Sequence, residues 1–303
     1  MSRVLLVTGA TGKQGSGVVK ALLKLKADFQ ILALTRNAES PSAKRLASQS
    51  SNIVLIQGNL DDTEAIFQSA QKLTPAPIWG VYSVQAPAFK GNGFIIEEAQ
   101  GKALIDSSIK HGVKYFVYSS VDRNGEKSFD NPTDIPHFRS KHNIEHHLVE
   151  HTKNKEMDWT ILRPVAFMDN FTADFVGKVF ATAWRDVVKS RPLQLIATED
   201  IGFFAAFSFM NPEKFNRKAI SLAGDELTYG QLEQVFQEKC GIPPPTTYSF
   251  LAKMVMRFSE EFRTMFQFFE REGYGADIQA VREIYPKVKS LATWLENSSF
   301  AKR

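Results

Sequence analysis

The chain has 303 residues, 43% of them hydrophobic and 23% charged, with a formal net charge of +4. That balance fits a globular protein with one large α/β domain and a smaller lobe, and gives no sign of disorder or a fibre. Lys and Arg are scattered among acids rather than gathered in a basic stripe, which argues against direct nucleic-acid binding. Cys240 is the only cysteine, so an intramolecular disulfide is excluded and a reducing compartment is expected. No apolar run reaches the roughly 18 residues of a membrane span. The chain enters a strand at once, so no signal or transit peptide is expected. A cytoplasmic protein is expected, with the nucleus as a second compartment open to it.

The first element is the most informative. Val4, Leu5, Leu6 and Val7 lead into Thr8-Gly9-Ala10-Thr11-Gly12-Lys13-Gln14-Gly15, and a helical pattern of Val18, Val19, Leu22 and Leu23 follows. Strand, glycine turn and helix start in that order form a dinucleotide-binding turn: Gly9 for the tight turn, Gly12 for close approach of a pyrophosphate, Gly15 for helix-to-sheet packing. The helix start directs its free N–H groups and positive dipole end at the phosphates. Gln30-Ile31-Leu32-Ala33-Leu34 is the second strand and ends at Thr35-Arg36-Asn37, about 20 residues after the glycines, where an NAD-binding protein places an acid for the ribose 2′-hydroxyl. Arg36 stands there instead. Its guanidinium can fork onto a 2′-phosphate and stack on adenine, with Lys13 adding charge nearby, so NADP(H) is the expected cofactor. The alternative for Arg36 is a solvated loop cation.

Four further apolar runs continue the alternation with helical stretches. Ile53–Ile56 ends in Gly58-Asn59-Leu60-Asp61, Trp79–Val84 in Gln85-Ala86-Pro87, Tyr115–Tyr118 in Ser119-Ser120, and Trp159–Leu162 in Arg163-Pro164. Strands alternating with helices predict an α/β fold, a doubly wound parallel sheet of Rossmann type, with ligand contacts at the carboxyl ends of the strands. The cofactor contacts expected there are Gly9, Thr11, Gly12, Lys13, Gln14 and Gly15, then Arg36, Asn59, Leu60 and Asp61, then Gln85, Ala86 and Pro87, and last Pro164 and Phe167. Past Phe167 the chain turns rich in Phe and Met, with Gly241-Ile242-Pro243-Pro244-Pro245 as a rigid break and a mainly helical tail. The expected division is a cofactor domain over 1–165 and a substrate or partner lobe over 166–303, some of whose segments return to the first domain.

These pieces together resemble the NmrA-like family, atypical members of the short-chain dehydrogenase/reductase superfamily. The matching segments are Val7 to Gly15, Leu34-Thr35-Arg36-Asn37, Gly58-Asn59-Leu60-Asp61, His137-Phe138-Arg139-Ser140-Lys141 and Ile161-Leu162-Arg163-Pro164. Ala197-Thr198-Glu199-Asp200-Ile201-Gly202 and Gly273-Tyr274-Gly275-Ala276-Asp277-Ile278 complete the set, which spans nearly the whole chain. Asn59 departs from the acid more common in the family. The resemblance implies that a catalytic member carries Tyr and Lys four residues apart on one helix, with a Ser at the end of the fifth strand. Here Lys141 takes the lysine position, His137 stands where Tyr would, and Ser119 and Ser120 compete for the serine position.

His137 follows Pro136 and is expected in a first helical turn, where the dipole and Lys141 disfavour an imidazolium. A neutral ring could still donate one hydrogen bond to a carbonyl oxygen; otherwise the residue packs beside the cofactor. Lys141 is read as a ribose and nicotinamide contact, against a solvated helix lysine. Two other patterns are discounted. Tyr285-Pro286-Lys287-Val288-Lys289 has the Tyr/Lys spacing but a Pro that marks a helix boundary, and His147-Leu148-Val149-Glu150-His151 matches an inverted zinc motif on a solvated helix face. No metal is expected. The run Phe250, Met254, Met256, Phe258, Phe262, Met265, Phe266, Phe269 is spaced for a helical stripe, read first as core and otherwise as a pocket wall or a docking groove for a partner helix.

Two functions compete. The resemblance implies an NADP-binding regulator or redox sensor that docks on other proteins and lacks the catalytic Tyr. The alternative is an NADPH-dependent oxidoreductase that reduces a carbonyl or activated double bond of a small molecule.

Overall fold

A computed structural model describes residues 2–85, 93–154 and 156–301; Ala86 and Pro87, two of the expected cofactor contacts, lie outside the described residues. In chain order the elements are β1 (Arg3–Val7), α1 (Lys13–Lys24), β2 (Phe29–Thr35), α2 (Pro41–Ala47), β3 (Ile53–Gln57), α3 (Thr63–Leu73), β4 (Ile78–Ser83) and α4 (Gly93–Lys110). There follow β5 (Tyr115–Ser119), α5 (Pro136–His151), β6 (Asp158–Pro164), β7 (Ala166–Phe167), α6 (Phe175–Ala183), β8 (Leu193–Ile196), α7 (Thr198–Met210) and α8 (Pro212–Phe215). The rest is β9 (Lys218–Leu222), β10 (Asp225–Leu227), α9 (Tyr229–Cys240), α10 (Ser249–Phe258), α11 (Glu260–Arg271), α12 (Ile278–Ile284) and α13 (Leu291–Leu295).

Seven strands form one sheet in the order β3-β2-β1-β4-β5-β6-β9. The pairings from β3 through β6 are all parallel. Strands covered on both faces need apolar side chains in both directions, which is why Val4–Val7 and Ile31–Leu34 read as unbroken apolar runs and are buried throughout. The strand order reverses between β1 and β4, placing a switch point beside the glycine turn. Val4, Leu6, Leu32, Ile56, Ile66, Val81, Leu104, Phe116, Ile144, Leu148 and Ile161 build the core between this sheet and its helices.

The chain divides into two compact units, residues 1–120, 140–163 and 199–220 in the first and 121–139, 164–198 and 221–303 in the second. The second holds a three-stranded sheet ordered β10-β8-β7, with β8 antiparallel to β10 and parallel to β7. Its core gathers Phe171, Phe180, Trp184, Phe236, Phe266 and Phe269. The Phe/Met stripe expected in the tail is split. Ser259 ends α10 and caps α11, accepting a hydrogen bond from the Phe262 N–H. Phe266 and Phe269 of α11 are core residues, while Phe250, Met254 and Phe258 of α10 are exposed. Tyr285 lies just beyond the end of α12, so the Tyr285/Lys289 pair does not share a helix.

Candidate functional site

Thr8 pins the turn after β1 to the end of β4. Its hydroxyl donates to the Val84 carbonyl at 3.0 Å and accepts from the Val84 N–H at 2.8 Å. Gly9 takes φ +57°, a conformation that costs other residues strain. A Cβ on Gly15 would sit 2.3 Å from the Gly9 carbonyl oxygen, so only glycine lets α1 start this close to the turn. Gly12 differs: its backbone is extended (φ −87°, ψ 176°), and a Cβ there would meet only the Gly9 oxygen, at 3.2 Å.

The helices α2, α3, α6 and α9 are each closed by a Ser, Asp or Thr side chain at the N-cap. By contrast α1 has Gly12 at that position, no side-chain cap and no acid in its first turn. Its leading N–H groups and dipole therefore suit an anion. Thr11, Gly12 and Lys13 are exposed around it. Arg36, beyond the end of β2, is exposed and forms no ion pair among the described residues. The nearest acid in sequence, Glu39, is engaged by Lys44 at 2.7 Å. At the end of β3, Asp61 takes hydrogen bonds from Asn59 and from Gln100 at 2.7 Å, and Leu60 is half-buried between them in sequence.

The glycine loop reaches the fifth strand through Gln14. Its Oε1 accepts from Ser119 Oγ at 2.6 Å and from Tyr82 Oη at 3.3 Å. Burial drives the Tyr82 phenol above its ordinary value, against the opposing effect of Ser119, so Tyr82 stays a neutral donor. Ser120 is committed elsewhere, to Glu145, which also takes a two-pronged hydrogen bond from Arg163 with a shortest contact of 2.6 Å. Lys141 Nζ lies 2.8 Å from Glu97 Oε1 and 3.5 Å from the Ser119 carbonyl oxygen. The structure thus brings Gln14, Ser119 and Lys141 together. Gln85 is buried beyond β4, its amide donating to Ser83 while its Oε1 has no partner among the described residues.

His137, Pro164 and Phe167 belong to the second unit. His137 does open α5, and its ring meets a partner that its own helix does not supply. Nδ1 meets the Glu261 carboxylate from α11, and the His137 N–H donates to the same Oε1 at 3.3 Å. The charge of Lys141 is answered by Glu97. Pro164 accepts the Asp122 N–H at 3.0 Å, and Phe167 is a half-buried member of β7. Asp122 also explains the Gly273-Tyr274-Gly275 motif: its carboxylate gathers the N–H groups of Asn124, Gly125 and Gly275.

The sequence reading missed Tyr82, Glu97, Glu145 and Glu261. Their partners are set by packing between distant segments, and no motif marks them. The same holds for Asp106, whose Oδ1 lies 2.7 Å from His147 Nε2. His147 and His151 stack at 3.8 Å, and with Asp106 they place three ligand atoms within 4.8 Å of one another. The cluster sits on the outer face of α4 and α5, and His147 is already satisfied by the carboxylate. A cleft of about 210 Å³ lined by Phe67, Thr74, Pro75, Ile78 and His111 opens at the beginning of β4, the opposite end from the site.

A parallel sheet with a switch point, a strand–glycine–helix turn and an open helix start define an α/β protein of the Rossmann type. The profile of the NmrA-like family matches residues 1–295, and the chain belongs to that family. It is 25% identical over 304 residues to the NmrA-like family domain-containing oxidoreductase FrzB of a Cladobotryum species, covering 90% of this chain and 85% of that one. Triphenylmethane reductase of a Citrobacter species, crystallised with NADP(H), has the same fold at a TM-score of 0.74 and 17% identity, over 97% of this chain and 99% of that one. The negative transcriptional regulator NmrA, in complex with NADP, superposes at 0.70 with 16% identity, over 99% and 95% of the two chains. Among the described residues no helix is long and apolar enough to cross a membrane.

Proposed function

We propose that this chain binds NADP(H) at the carboxyl ends of β1 to β5 and works as a cofactor-responsive regulator, its second unit carrying the surface for a protein partner. The observation that carries the reading is the pairing of an open α1 start with an exposed Arg36 that forms no ion pair among the described residues. The residues that would hold the cofactor are Gly12, Lys13 and the α1 N–H groups at the pyrophosphate, Arg36 at the 2′-phosphate, and Lys141 at the nicotinamide ribose. When bound, the nicotinamide supplies a hydride. What argues against a reductase is the acid position: it holds His137 in place of Tyr, and Tyr82, near Ser119, is pushed away from ionisation by burial.

The reductase reading keeps one specific support. The His137–Glu261 contact resembles the imidazole–carboxylate arrangement that orients a proton-transferring histidine, and both FrzB and triphenylmethane reductase carry enzymatic names. NADPH binding measured by calorimetry beside NADPH oxidation over a panel of aldehydes, ketones, quinones and enones separates the two. Tight binding without turnover supports the regulator. Steady turnover of any of these classes transfers the chain to the reductases.

A further inference from the structure

Lys141 and Glu97 form an ion pair at 2.8 Å with side-chain exposures of only 11% and 1%. Glu97 Oε2 has no hydrogen-bond partner among the described residues. A carboxylate taken this far out of water is costly to keep unless its charge is used. The charge it faces is that of the lysine read as the cofactor contact. We infer that Glu97 is a positioning residue for pyridine-nucleotide binding: it holds the Lys141 ammonium charged and aimed beside the Ser119 carbonyl, and so keeps cofactor affinity level across the neutral and mildly alkaline range. The inference rests on the reading of Lys141 as a cofactor contact.

The physics gives the inference a signature. An ammonium left in a buried site without a counter-charge sheds its proton readily. In a Glu97→Gln variant, Lys141 would therefore lose its grip on a ribose hydroxyl as pH rises. Among the described residues, the charged or titratable groups near it in sequence on α4 and α5 have partners of their own: Glu98 of α4 with Lys102, Glu145 of α5 with Arg163 of β6, His137 of α5 with Glu261. The aromatic ring of Tyr118 on β5 lies 5.9 Å from Nζ, and His142 is one residue further along α5, against Asn143. Those groups are common to wild type and variant, so the difference between the two profiles isolates the lysine.

The test is NADPH titration by calorimetry from pH 6 to pH 9 on the full chain, for wild type, Glu97→Gln, Glu97→Asp, Lys141→Met and the double variant Glu97→Gln/Lys141→Met. We expect a level wild-type profile. Glu97→Gln should bind like wild type at the acid end and about tenfold more weakly at the alkaline end, the scale of one charge-assisted hydrogen bond. Glu97→Asp, which keeps the charge, should stay level, and the double variant should match Lys141→Met instead of adding the two losses. If Glu97→Gln does not fold, the level profile of Glu97→Asp and the match between the double variant and Lys141→Met carry the test, since the double variant leaves no buried charge uncompensated. Equal affinity of Glu97→Gln and wild type at every pH, or losses that add in the double variant, would overturn the role of Glu97 alone. Unchanged binding by Lys141→Met would remove the cofactor contact on which the role depends, and absence of NADPH binding by wild type would remove the function as well.

Discussion

The glycine loop and helix α5 both face the candidate site, and they are built on opposite plans. The loop's turn, close approach and open helix start are written in its own residues, Thr8 to Gly15, even though Thr8 is bonded to Val84 and Gln14 to Ser119 on neighbouring strands. Along α5, nearly every informative side chain is defined by a distant partner. Lys141 is matched by Glu97, Glu145 by Arg163, and His137 by Glu261. A local motif tolerates change in what surrounds it. A set of ion pairs drawn from separate segments does not.

The largest expected effect follows from that contrast. Removing the buried charge in Glu145→Ala strands Arg163, and should cost about 3–5 kcal/mol of stability by urea unfolding, whereas replacing both members with well-packed apolar residues should recover most of it. Equal losses for the single and paired replacements would mean that the pair is held by packing and not by charge.

Within the loop the prediction is a separation of binding from stability. Gly12→Val crowds the protein less than a side chain at Gly15 would, since its Cβ would meet the Gly9 oxygen at 3.2 Å and not at 2.3 Å, yet it puts methyls where the pyrophosphate must come. Affinity for NADPH should fall by at least about 2–3 kcal/mol, the loss of the close phosphate contacts, with little change in melting temperature. Gly15→Ala should do the reverse, costing about 1–3 kcal/mol of stability through overpacking against Gly9. A Gly12→Val protein that keeps wild-type affinity would place the ligand elsewhere.

His137→Ala gives the smallest effect under the regulator reading: NADPH affinity and any trace oxidation should stay as they are. A fall in turnover of about a hundredfold with unchanged affinity would instead identify a proton donor, and make Glu261 the residue that holds it.

The comparison also explains what could be read without the structure. The strands β1 to β6 stood out because burial on both faces writes an apolar run into the sequence, and the glycine loop stood out because each glycine answers a different steric need. The strands β7, β8 and β10 did not, since two to four residues carry no period. The Phe/Met run showed helical spacing but not what would cover it, so the exposed stripe of α10 and the buried stripe of α11 looked alike. Glu97, Glu145 and Glu261 were ordinary helix acids until folding set them against Lys141, Arg163 and His137. His137 itself was read from its own helix alone, and the charge of Glu261 changed its surroundings.

The central claim is that Arg36 and the open α1 start select a dinucleotide carrying a 2′-phosphate. Parallel calorimetric titration of wild type and Arg36→Ala with NADPH and NADH tests it most directly. Wild type should prefer NADPH, and Arg36→Ala should lose about 1.5–3 kcal/mol of NADPH affinity, the range of a charge-assisted hydrogen bond, while binding NADH as before. An equal loss for both nucleotides, or none for either, would contradict the account.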